Sequence, residues 1–363
     1  MRVLYLVDAL DNGGLERQMT LLARSLPEPW EAWVWSMEAG PFEEYLRRSN
    51  VPVTVRERRF RFDFSVVGSL WGLLERWRPD VVHSWSWIST LAAGPVCRLL
   101  SIPLVDGSIQ TGVVQPEYFF LKRVGMLSSN LIVANCHAGL QAYRVGPAKG
   151  RVVYNGFDPS RLPAAEALPP DDGARFSVIM TGRMRPVKDY DVLFRAARLL
   201  AADCGDWRFI ALGDGQERER LMQEAQDLVE VGTLVFPTPT MEVIQTVRRA
   251  DVGVLMTNEA FGREGVSNSI MEYMACGLPV VCSDGGGSPE LVREGVTGFL
   301  VSPGDANALA ERLAYLRDHE DERRAMGAAG KERIAARFST DEMVRNMLRV
   351  YADAMNPRSR AFS

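Results

Sequence analysis

The sequence predicts an α/β protein built from two doubly wound parallel sheets. Its 363 residues suffice for two domains of roughly 100–200 residues each. Short runs of Val, Ile and Leu alternate with longer amphipathic stretches, which is typical of βαβ units. This pattern stops once, in a stretch rich in Pro, Ala and Asp over residues 155–173. We therefore expect one domain over residues 1–160 and a second over residues 170–338.

Seven apolar runs predict the strands of the first domain. In chain order they are Val3–Val7, Ala32–Ser36, Val51–Val55, Val81–His83, Pro103–Asp106, Leu131–Ala134 and Arg151–Tyr154. Apolar residues recur at helical spacing between them. After the Gly13-Gly14 turn, for example, Leu15, Met19 and Leu22 share one helix face.

Six further runs predict the strands of the second domain: Phe176–Gly182, Arg208–Leu212, Thr233–Phe236, Val252–Met256, Pro279–Ser283 and Gly298–Val301. Helices are expected from about Asp189, Gln216, Met241, Ser267 and Asp305. The chain beyond His319 is helical in pattern, and its last helix could pack on either domain. Because ligands of such sheets bind outside the carboxyl ends of the strands, function is expected at the strand-to-helix turns.

Composition excludes several classes of function. The 42 Lys and Arg against 46 Asp and Glu give a net charge of −4, which lacks the basic excess typical of general nucleic-acid binding. The five Cys are scattered without a C-x-x-C pair, which indicates reduced thiols rather than disulfides or a zinc site. Asp8 and Asp11 interrupt the apolar start of the chain, and no run of about 18–20 apolar residues occurs. We expect a cytoplasmic protein without a spanning helix.

One segment combines basic and aromatic residues, namely Arg56, Arg58, Arg59 and Arg61 with Phe60, Phe62 and Phe64. Such a cluster could contact an anionic lipid surface or a phosphorylated acceptor. A solvated strand edge with buried phenylalanines would give the same pattern. Peripheral contact with the inner membrane face is therefore an expectation beside the cytoplasmic one.

The segment from Phe261 to Val281 carries two glutamates eight residues apart, Glu264 and Glu272. Glu264 falls in a polar loop after a strand, and Glu272 lies inside a helix that begins near Ser267. The first turn of that helix contains Asn268 and Ser269, and its unpaired N–H groups favour an anion. This arrangement suits a ligand with a diphosphate centre and hydroxyl groups at both ends. A capped helix with two surface glutamates is the alternative interpretation.

A second segment follows the first strand of the second domain. Gly182 allows the turn to approach a ligand closely, while Arg183 and Lys188 place two cations at the carboxyl end of the strand. Arginine offers a planar fork and lysine a point charge, and the pair suits a diphosphate that is bound without a metal. Each of these residues taken alone is equally compatible with a solvated surface position.

Two other patterns in this region predict less. Asp189 and Asp191 form a D-x-D sequence, which often clamps a metal and a diphosphate, but they begin a helix on which alternate side chains diverge. We expect Asp189 to start that helix and no essential metal to be bound. The turn over Gly213 and Gly215 lacks the rest of a dinucleotide fingerprint, so a closely packed βα turn is expected.

Taken together, these motifs resemble those of family 4 retaining glycosyltransferases, also called glycosyl transferases group 1, which have the GT-B fold. The motifs are Gly182-Arg183 with Lys188, Gly213-Asp-Gly-Gln-Glu-Arg, Glu264 and Glu272 with Asn268, Met274-Ala-Cys-Gly-Leu-Pro-Val-Val, Gly286-Gly-Ser-Pro-Glu290 and Gly298-Phe-Leu-Val. Gly13-Gly14-Leu-Glu-Arg, His83-Ser-Trp and Val153-Tyr-Asn-Gly-Phe-Asp extend the resemblance over nearly the whole chain.

The resemblance implies a role for each matching residue in binding and transfer. Arg183 and Lys188 would hold the donor diphosphate and stabilise the leaving nucleotide, and Glu264 would contact the hydroxyls of the donor sugar. Glu272 would bind the ribose. Further donor contacts are implied for Gly13, Gly14, Asn268 and Ser269. The first domain would bind the acceptor and the second the donor, and the final helix, at about residues 339–363, would return to the first domain.

The acceptor side departs from the family pattern. Many relatives have a His where this chain reads Asp106-Gly-Ser108-Ile-Gln110, and only three His occur in the sequence. His83 at the end of a strand is the remaining candidate for the acceptor base, with a buried structural His as the alternative. Asp106, Ser108 and Gln110 could orient the acceptor. Transfer by same-face attack, in which the leaving phosphate takes the acceptor proton, needs no such His.

The expected function is therefore metal-independent transfer of a hexose to a small, lipid-linked or polysaccharide acceptor. No cofactor is expected beyond a nucleotide-sugar co-substrate. UDP- and GDP-sugars are the first candidates for this co-substrate. Two alternatives share the fold: a nucleotide-sugar 2-epimerase, and a non-catalytic nucleotide-sugar-binding protein that has lost its acceptor site.

Overall fold

The computed structural model describes residues 1–59, 63, 65–112, 114, 118–162, 175–201, 207–240 and 242–356. The chain forms two compact units. Unit 1 comprises Met1–Gly156 and the chain from Thr340 onward, and unit 2 comprises Phe157–Ser339. Some sequence predictions fall outside the described residues: most of the linker (163–173), Cys204, the helix start at Met241, and Phe60, Arg61, Phe62 and Phe64 of the basic cluster.

The described residues contain thirteen strands, all of which the sequence predicts. They are β1 Arg2–Val7, β2 Glu31–Ser36, β3 Val53–Val55, β4 Val81–Ser84, β5 Leu104–Ile109, β6 Leu131–Ala134, β7 Gly150–Val152, β8 Phe176–Thr181, β9 Trp207–Leu212, β10 Leu234–Val235, β11 Val252–Leu255, β12 Val280–Ser283 and β13 Gly298–Val301. Strands β3, β7 and β10 are shorter than predicted. Each lies at the edge of its sheet and pairs on one side only, so its ladder ends sooner.

Helices occupy most of the connections between the strands. They are α1 Gly14–Arg24, α2 Pro41–Arg48, α3 Ser65–Trp77, α4 Trp87–Leu99, α5 Phe119–Ser128, α6 His137–Ala142, α7 Tyr190–Ala201, α8 Arg218–Glu224, α9 Gln226–Glu230, α10 Val243–Val247, α11 Asn268–Ala275, α12 Ser288–Leu291, α13 Ala306–Asp318, α14 Glu320–Arg337 and α15 Thr340–Met355. In the described part of the chain, no helix has both the length and the apolar character that crossing a bilayer requires.

The sheet of unit 1 is parallel, with strand order β3-β2-β1-β4-β5-β6-β7. Its interior strand β1 is buried from Val3 to Val7, as expected for a parallel strand covered on both faces. The chain leaves β1 towards β2 and later returns to the other side of β1 as β4. The carboxyl ends of β1 and β4 are therefore the topological switch point, where doubly wound sheets bind ligands.

Unit 2 repeats this plan with strand order β10-β9-β8-β11-β12-β13. Strand β8 pairs with β9 on one side and with β11 on the other, both in parallel. Its switch point accordingly lies at the carboxyl ends of β8 and β11. The doubly wound α/β class predicted from the sequence is confirmed in both units.

The last helix, α15, belongs to unit 1. Its apolar face carries Met343, Met347 and Tyr351, which are buried in the same core as Tyr5 of β1. The sequence pattern alone left the partner of this helix open. The structure packs it on the face of the sheet that contains His83, whose ring Nδ1 lies 2.9 Å from the hydroxyl of Tyr351.

Candidate functional site

Backbone hydrogen bonds tie together the two loops at the switch point of unit 2. The turn after β8 and the loop after β11 are joined by an antiparallel bridge between Lys188 and Thr257. The N–H of Asp189 donates to the carbonyl of Met256, and the N–H of Asn258 donates to the carbonyl of Val187, each at 3.0 Å. The residues that the sequence places on two separate turns therefore share one framework.

Glycines allow the turn after β8 to pack closely. Gly182 has a φ of +149°, and a Cβ at Gly213 would lie 1.9 Å from the carbonyl oxygen of Gly182. The hydroxyl of Tyr190 donates to the same carbonyl at 3.1 Å. The predicted close-packed turn at Gly213 is confirmed, and its effect is to fix the backbone next to Arg183, whose side chain is exposed.

Lys188 and Glu264 are brought together by this framework. Nζ of Lys188 lies 3.3 Å from Oε1 of Glu264, with side chains 11% and 25% exposed. The loop over Gly286 and Gly287 packs against the backbone of Glu264. The carbonyl oxygen of Glu264 accepts from the N–H of Gly287 at 3.0 Å, and a Cβ at Gly286 would lie 2.0 Å from the same oxygen. A cation and an anion, both partly exposed, therefore lie next to each other at the switch point of unit 2.

Helix α11 begins beside the end of β8. The hydroxyl of Ser269 in its first turn donates to the carbonyl of Thr181 at 3.0 Å. One turn later, the hydroxyl of Tyr273 lies 2.9 Å from Oγ1 of Thr181 and also accepts from its N–H. Asn268 is the first residue of the helix, and its cap Ser267 makes no side-chain capping bond. The N-terminal turn of this eight-residue helix therefore lies beside the carboxyl end of β8, and such a terminus favours an anion.

Glu272 is the second glutamate of the predicted pair, and it has a partner that sequence analysis missed. Nη2 of Arg161 donates to Oε1 of Glu272 at 2.7 Å. The side chain of Glu272 is 5% exposed and that of Arg161 is 26% exposed. The two residues are 111 positions apart, and no local pattern connects them.

Both carboxylates of the D-x-D sequence are engaged within unit 2. Oδ1 of Asp189 accepts from the N–H of Val192 at 3.3 Å, in the first turn of α7. Burial raises the pKa of Asp189 above its ordinary value. Asp191 forms a two-pronged ion pair with Arg220, at 3.0 and 2.9 Å. The two side chains diverge as predicted from helical geometry.

The corresponding edge of unit 1 is built differently. Gly13 is the N-cap of α1 and Gly14 its first residue, so this helix begins without a side-chain cap at the end of β1. Asp8, which follows β1, accepts from the hydroxyls of Ser86 and Ser89 next to β4. Burial raises the pKa of Asp8, although these hydrogen bonds oppose the change. In the sequence, Asp8 stands out only as an interruption of the apolar start of the chain.

His83 lies inside the core of unit 1. It is 1% exposed, packs against the rings of Tyr5, Trp85 and Tyr351, and bonds to Tyr351 through Nδ1. Burial lowers its pKa to about 3, so the ring is neutral near pH 7. Its Nε2 faces Gly107, where a Cβ would lie 2.6 Å away. Nε2 has no hydrogen-bond partner in the part of the chain that the structure describes.

The three predicted acceptor-side residues are divided between the two faces of the sheet. Oδ1 of Asp106 in β5 accepts from Thr90 of α4 and from the N–H of Ser108, and the pairing of β5 with β6 shifts register between Asp106 and Ile109. Gln110 instead lines a cavity of about 10 Å³ together with His83. That volume is at the lower limit for one water molecule. The structure does not bring the three side chains together on one surface.

The described part of the basic cluster contains one short-range ion pair. Nε of Arg59 donates to Oδ2 of Asp63 at 3.0 Å, and Asp63 also accepts from the N–H of Ser65. These contacts order the start of α3. A contact with lipid stays a prediction, since the phenylalanines of the cluster lie outside the described residues.

Comparison with known proteins assigns both units. The family model described as "Glycosyltransferase Family 4" matches residues 12–161, and the model described as "Glycosyl transferases group 1" matches residues 175–319. The chain belongs to glycosyltransferase family 4. A D-inositol 3-phosphate glycosyltransferase of Segniliparus rotundus is 30% identical to it over 361 residues, which cover 91% of this chain and 78% of that protein.

Two further matches differ in the part of this family 4 glycosyltransferase that they cover. A GDP-mannose-dependent monoacylated α-(1-6)-phosphatidylinositol monomannoside mannosyltransferase of Corynebacterium glutamicum is 30% identical over 169 residues, 46% of this chain and 44% of that protein. The crystal structure of HepE from Anabaena in complex with UDP-glucose has a TM-score of 0.82, at 21% identity, and covers 97% of this chain and 99% of that one. That likeness shows the GT-B fold.

Proposed function

We propose that this glycosyltransferase transfers a hexose from a nucleoside diphosphate sugar to a small, lipid-linked or polysaccharide acceptor, with retention of the anomeric configuration and without a metal. Unit 2 binds the donor and unit 1 the acceptor. The observation that carries the proposal is the pairing of Lys188 with Glu264 at the switch point of unit 2, 3.3 Å apart and partly exposed. In this pair Lys188 supplies a cation for the diphosphate, and Glu264 supplies a neighbouring carboxylate for the hydroxyls of the sugar.

We assign each donor residue a role that its position supports. Lys188 and Arg183 neutralise the diphosphate, and they stabilise the leaving nucleotide most as the glycosidic bond breaks and negative charge grows on it. The N–H groups at the start of α11, with Asn268 and Ser269, bind phosphate oxygens. Glu264 accepts from hydroxyls of the hexose and Glu272 from those of the ribose.

Two observations support transfer without a metal. Asp189 and Asp191 are committed to the helix start and to Arg220, so the D-x-D sequence does not present two carboxylates to one ion. The two cations Arg183 and Lys188 supply the positive charge that a metal would otherwise bring to the diphosphate.

For the transfer itself we propose attack from the face that the nucleotide leaves. The acceptor oxygen bonds to the anomeric carbon as the bond from that carbon to the phosphate oxygen breaks, and the acceptor proton passes to the leaving phosphate oxygen. His83 supports this route indirectly. With its pKa at about 3 and its side chain buried, it is a weak proton acceptor near pH 7. In this proposal His83 has a structural role, and Gln110 lies near it on the acceptor side.

The matches to known proteins support a choice of donors to test. The structural neighbour was crystallised with UDP-glucose, and one relative is named as GDP-mannose-dependent. UDP- and GDP-sugars are therefore the first donors to examine. The enzyme is proposed to act in the cytoplasm, where activated sugars are made, with peripheral contact at the inner membrane face when the acceptor is lipid-linked. Sedimentation with anionic vesicles tests that contact.

A thermal-shift screen over UDP, GDP, ADP and dTDP sugars tests the proposal first, since selective binding stabilises the folded state. The donor that binds is then incubated with an acceptor library, and the product is examined by NMR. The proposal predicts a new glycosidic bond with the anomeric configuration of the donor. An inverted product contradicts retention. A changed sugar in the absence of acceptor indicates the epimerase alternative, and binding without turnover on any acceptor indicates the non-catalytic one.

A further inference from the structure

The ion pair between Arg161 and Glu272 is not explained by the roles assigned so far. Glu272 is nearly enclosed, and its Oε1 accepts from Nη2 of Arg161 at 2.7 Å. A buried carboxylate without a partner is costly, and it either takes up a proton or turns towards solvent. The ion pair with Arg161 offsets part of that cost and ties the carboxylate to one position.

Arg161 is itself held by its surroundings. It ends a 3-10 turn, Pro159–Arg161, in which Oδ1 of Asp158 accepts from the N–H of Ser160 at 2.9 Å. Its guanidinium lies 5.8 Å from the centre of the Phe157 ring, and the N–H of Phe157 donates to the carbonyl of Phe338 at 2.7 Å. A planar guanidinium held against a ring loses little additional freedom when it forms a hydrogen bond.

An ionised carboxylate has about four acceptor sites on its two oxygens. The hydrogen bond from Arg161 uses one of these sites on Oε1. As a charge-assisted bond of 2.7 Å it also restricts the rotation of the Glu272 side chain. The direction in which Glu272 accepts is then set before a nucleotide arrives, which reduces the entropy cost of binding.

We propose that Arg161 is a positioning residue for ribose recognition: it holds the Glu272 carboxylate in the orientation that accepts hydrogen bonds from the two ribose hydroxyls of the nucleotide. This inference rests on the proposed function, which assigns Glu272 to the ribose. Arg161 acts through Glu272 and needs no contact of its own with the nucleotide. The preference of the protein for ribose over deoxyribose nucleotides accordingly depends on Arg161.

Isothermal titration calorimetry with UDP, GDP and ADP, each beside its 2′-deoxy and 3′-deoxy counterparts, tests this dependence. For the nucleotide that the wild type binds, we expect the ribose form to bind about ten- to a hundredfold more tightly than the deoxy forms, as for hydrogen bonds to a charged group. In Arg161→Ala the affinities for the ribose and deoxy forms should differ by no more than about threefold. Arg161→Lys, which restores a charge without the planar fork, should recover part of it.

The ratio of affinities is the readout because a general loss of folding weakens both nucleotides equally. Arg198→Ala is the matched control, since Arg198 pairs with Asp227 in the same unit at 2.8 Å and should leave the ratio unchanged. If Arg161→Ala does not fold, Arg161→Gln takes its place, and the same loss of ratio is expected.

The outcomes separate this inference from the proposed function. If Glu272→Gln loses the ribose preference while Arg161→Ala keeps it, the inference is overturned and the ribose role of Glu272 stands. If both variants keep the preference, the assignment of Glu272 to the ribose is wrong, and the inference falls with it. If the wild type binds neither UDP, GDP nor ADP, nor any of the UDP, GDP, ADP and dTDP sugars of the thermal-shift screen, the proposed function itself is contradicted.

Discussion

The switch points of the two sheets are similar in topology and opposite in chemistry. In unit 2, Lys188 and Glu264 form an ion pair that is partly open to solvent. In unit 1, His83 at the end of β4 and Asp106 on the neighbouring strand β5 are each 1% exposed, and burial, which disfavours the charged form, lowers the pKa of His83 and raises that of Asp106. One edge presents charge and the other buries polar groups within the fold. A charged ligand of fixed chemistry suits the first edge.

Removing the cation at the charged edge should have the largest effect. We expect Lys188→Ala to lower the rate of nucleotide release from the donor by about a hundred- to a thousandfold, because it removes one preorganised charge from the developing diphosphate. A coupled assay for the released nucleoside diphosphate measures this rate. Lys331→Ala, at an exposed position on α14 of the same unit, is the control. Full activity of Lys188→Ala would show that the charged edge is not the donor site.

A methyl group at Gly213 should disturb the same edge through the backbone. Its Cβ would lie 1.9 Å from the carbonyl oxygen of Gly182, so the turn that carries Arg183 has to move. We expect Gly213→Ala to lower the free energy of unfolding by about 3 kcal/mol, as for overpacked sites, and to weaken nucleotide binding. Urea denaturation and calorimetry measure the two effects.

Gly72→Ala is the control for this substitution, because a Cβ at Gly72 in helix α3 meets no atom within 4 Å. It should stabilise the protein by about 1 kcal/mol through helix propensity. If Gly213→Ala were as stable as the wild type and bound nucleotide equally well, the close packing of the turn would not govern the site.

The burial of His83 in unit 1 should make the free energy of unfolding depend on pH. The pKa of His83 is about 3 in the folded protein and about 6.5 in the unfolded chain, so the unfolded state binds the extra proton as pH falls. The contribution of neutral His83 is complete above pH 6.5 and is lost towards pH 3. Between about pH 6.5 and 5 it should decrease by about 2 kcal/mol.

Urea denaturation of the wild type and of His83→Gln across this pH range measures that contribution as the difference between two curves. The variant should show the flatter curve below about pH 6.5. Parallel curves would mean that His83 takes up its proton in the folded state, and the proposal that it is structural rather than catalytic would then fail.

The smallest expected effect is that of a chelator. Because Asp189 and Asp191 are bonded within unit 2, EDTA should change the rate of transfer by less than about twofold. The rate is measured with and without added Mg²⁺ and Mn²⁺. A rate that collapses in EDTA and returns with either ion would contradict metal-independent transfer.

The fold could be predicted from the sequence because its signals are local. Apolar runs and helical spacing give every strand of both sheets, although the edge strands β3, β7 and β10 and several interior strands are shorter than predicted. Strand-to-helix turns identify Gly182, Lys188 and Glu264 for the same reason. A doubly wound sheet brings the carboxyl ends of its central strands together, so separate turns of the sequence become neighbours.

Other features of the site depend on contacts between distant parts of the chain. The bond between Arg161 and Glu272 spans 111 positions, and that between His83 and Tyr351 spans 268. Neither follows from periodicity or from a motif. Alternation along β5 would place Asp106 and Gln110 on one face of the sheet, and their division between two faces depends on the register shift between Asp106 and Ile109. Burial of His83 likewise depends on where α15 packs.

The central claim is that the charged edge of unit 2 binds the diphosphate of the donor. Calorimetric titration of UDP-glucose and of GDP-mannose into the wild type and into the double variant Arg183→Ala/Lys188→Ala tests it most directly. The account predicts saturable binding of at least one donor by the wild type, and affinity at least a hundredfold weaker in the variant, as expected for two lost charge-assisted contacts. Equal affinity of the two proteins for the bound donor would contradict it.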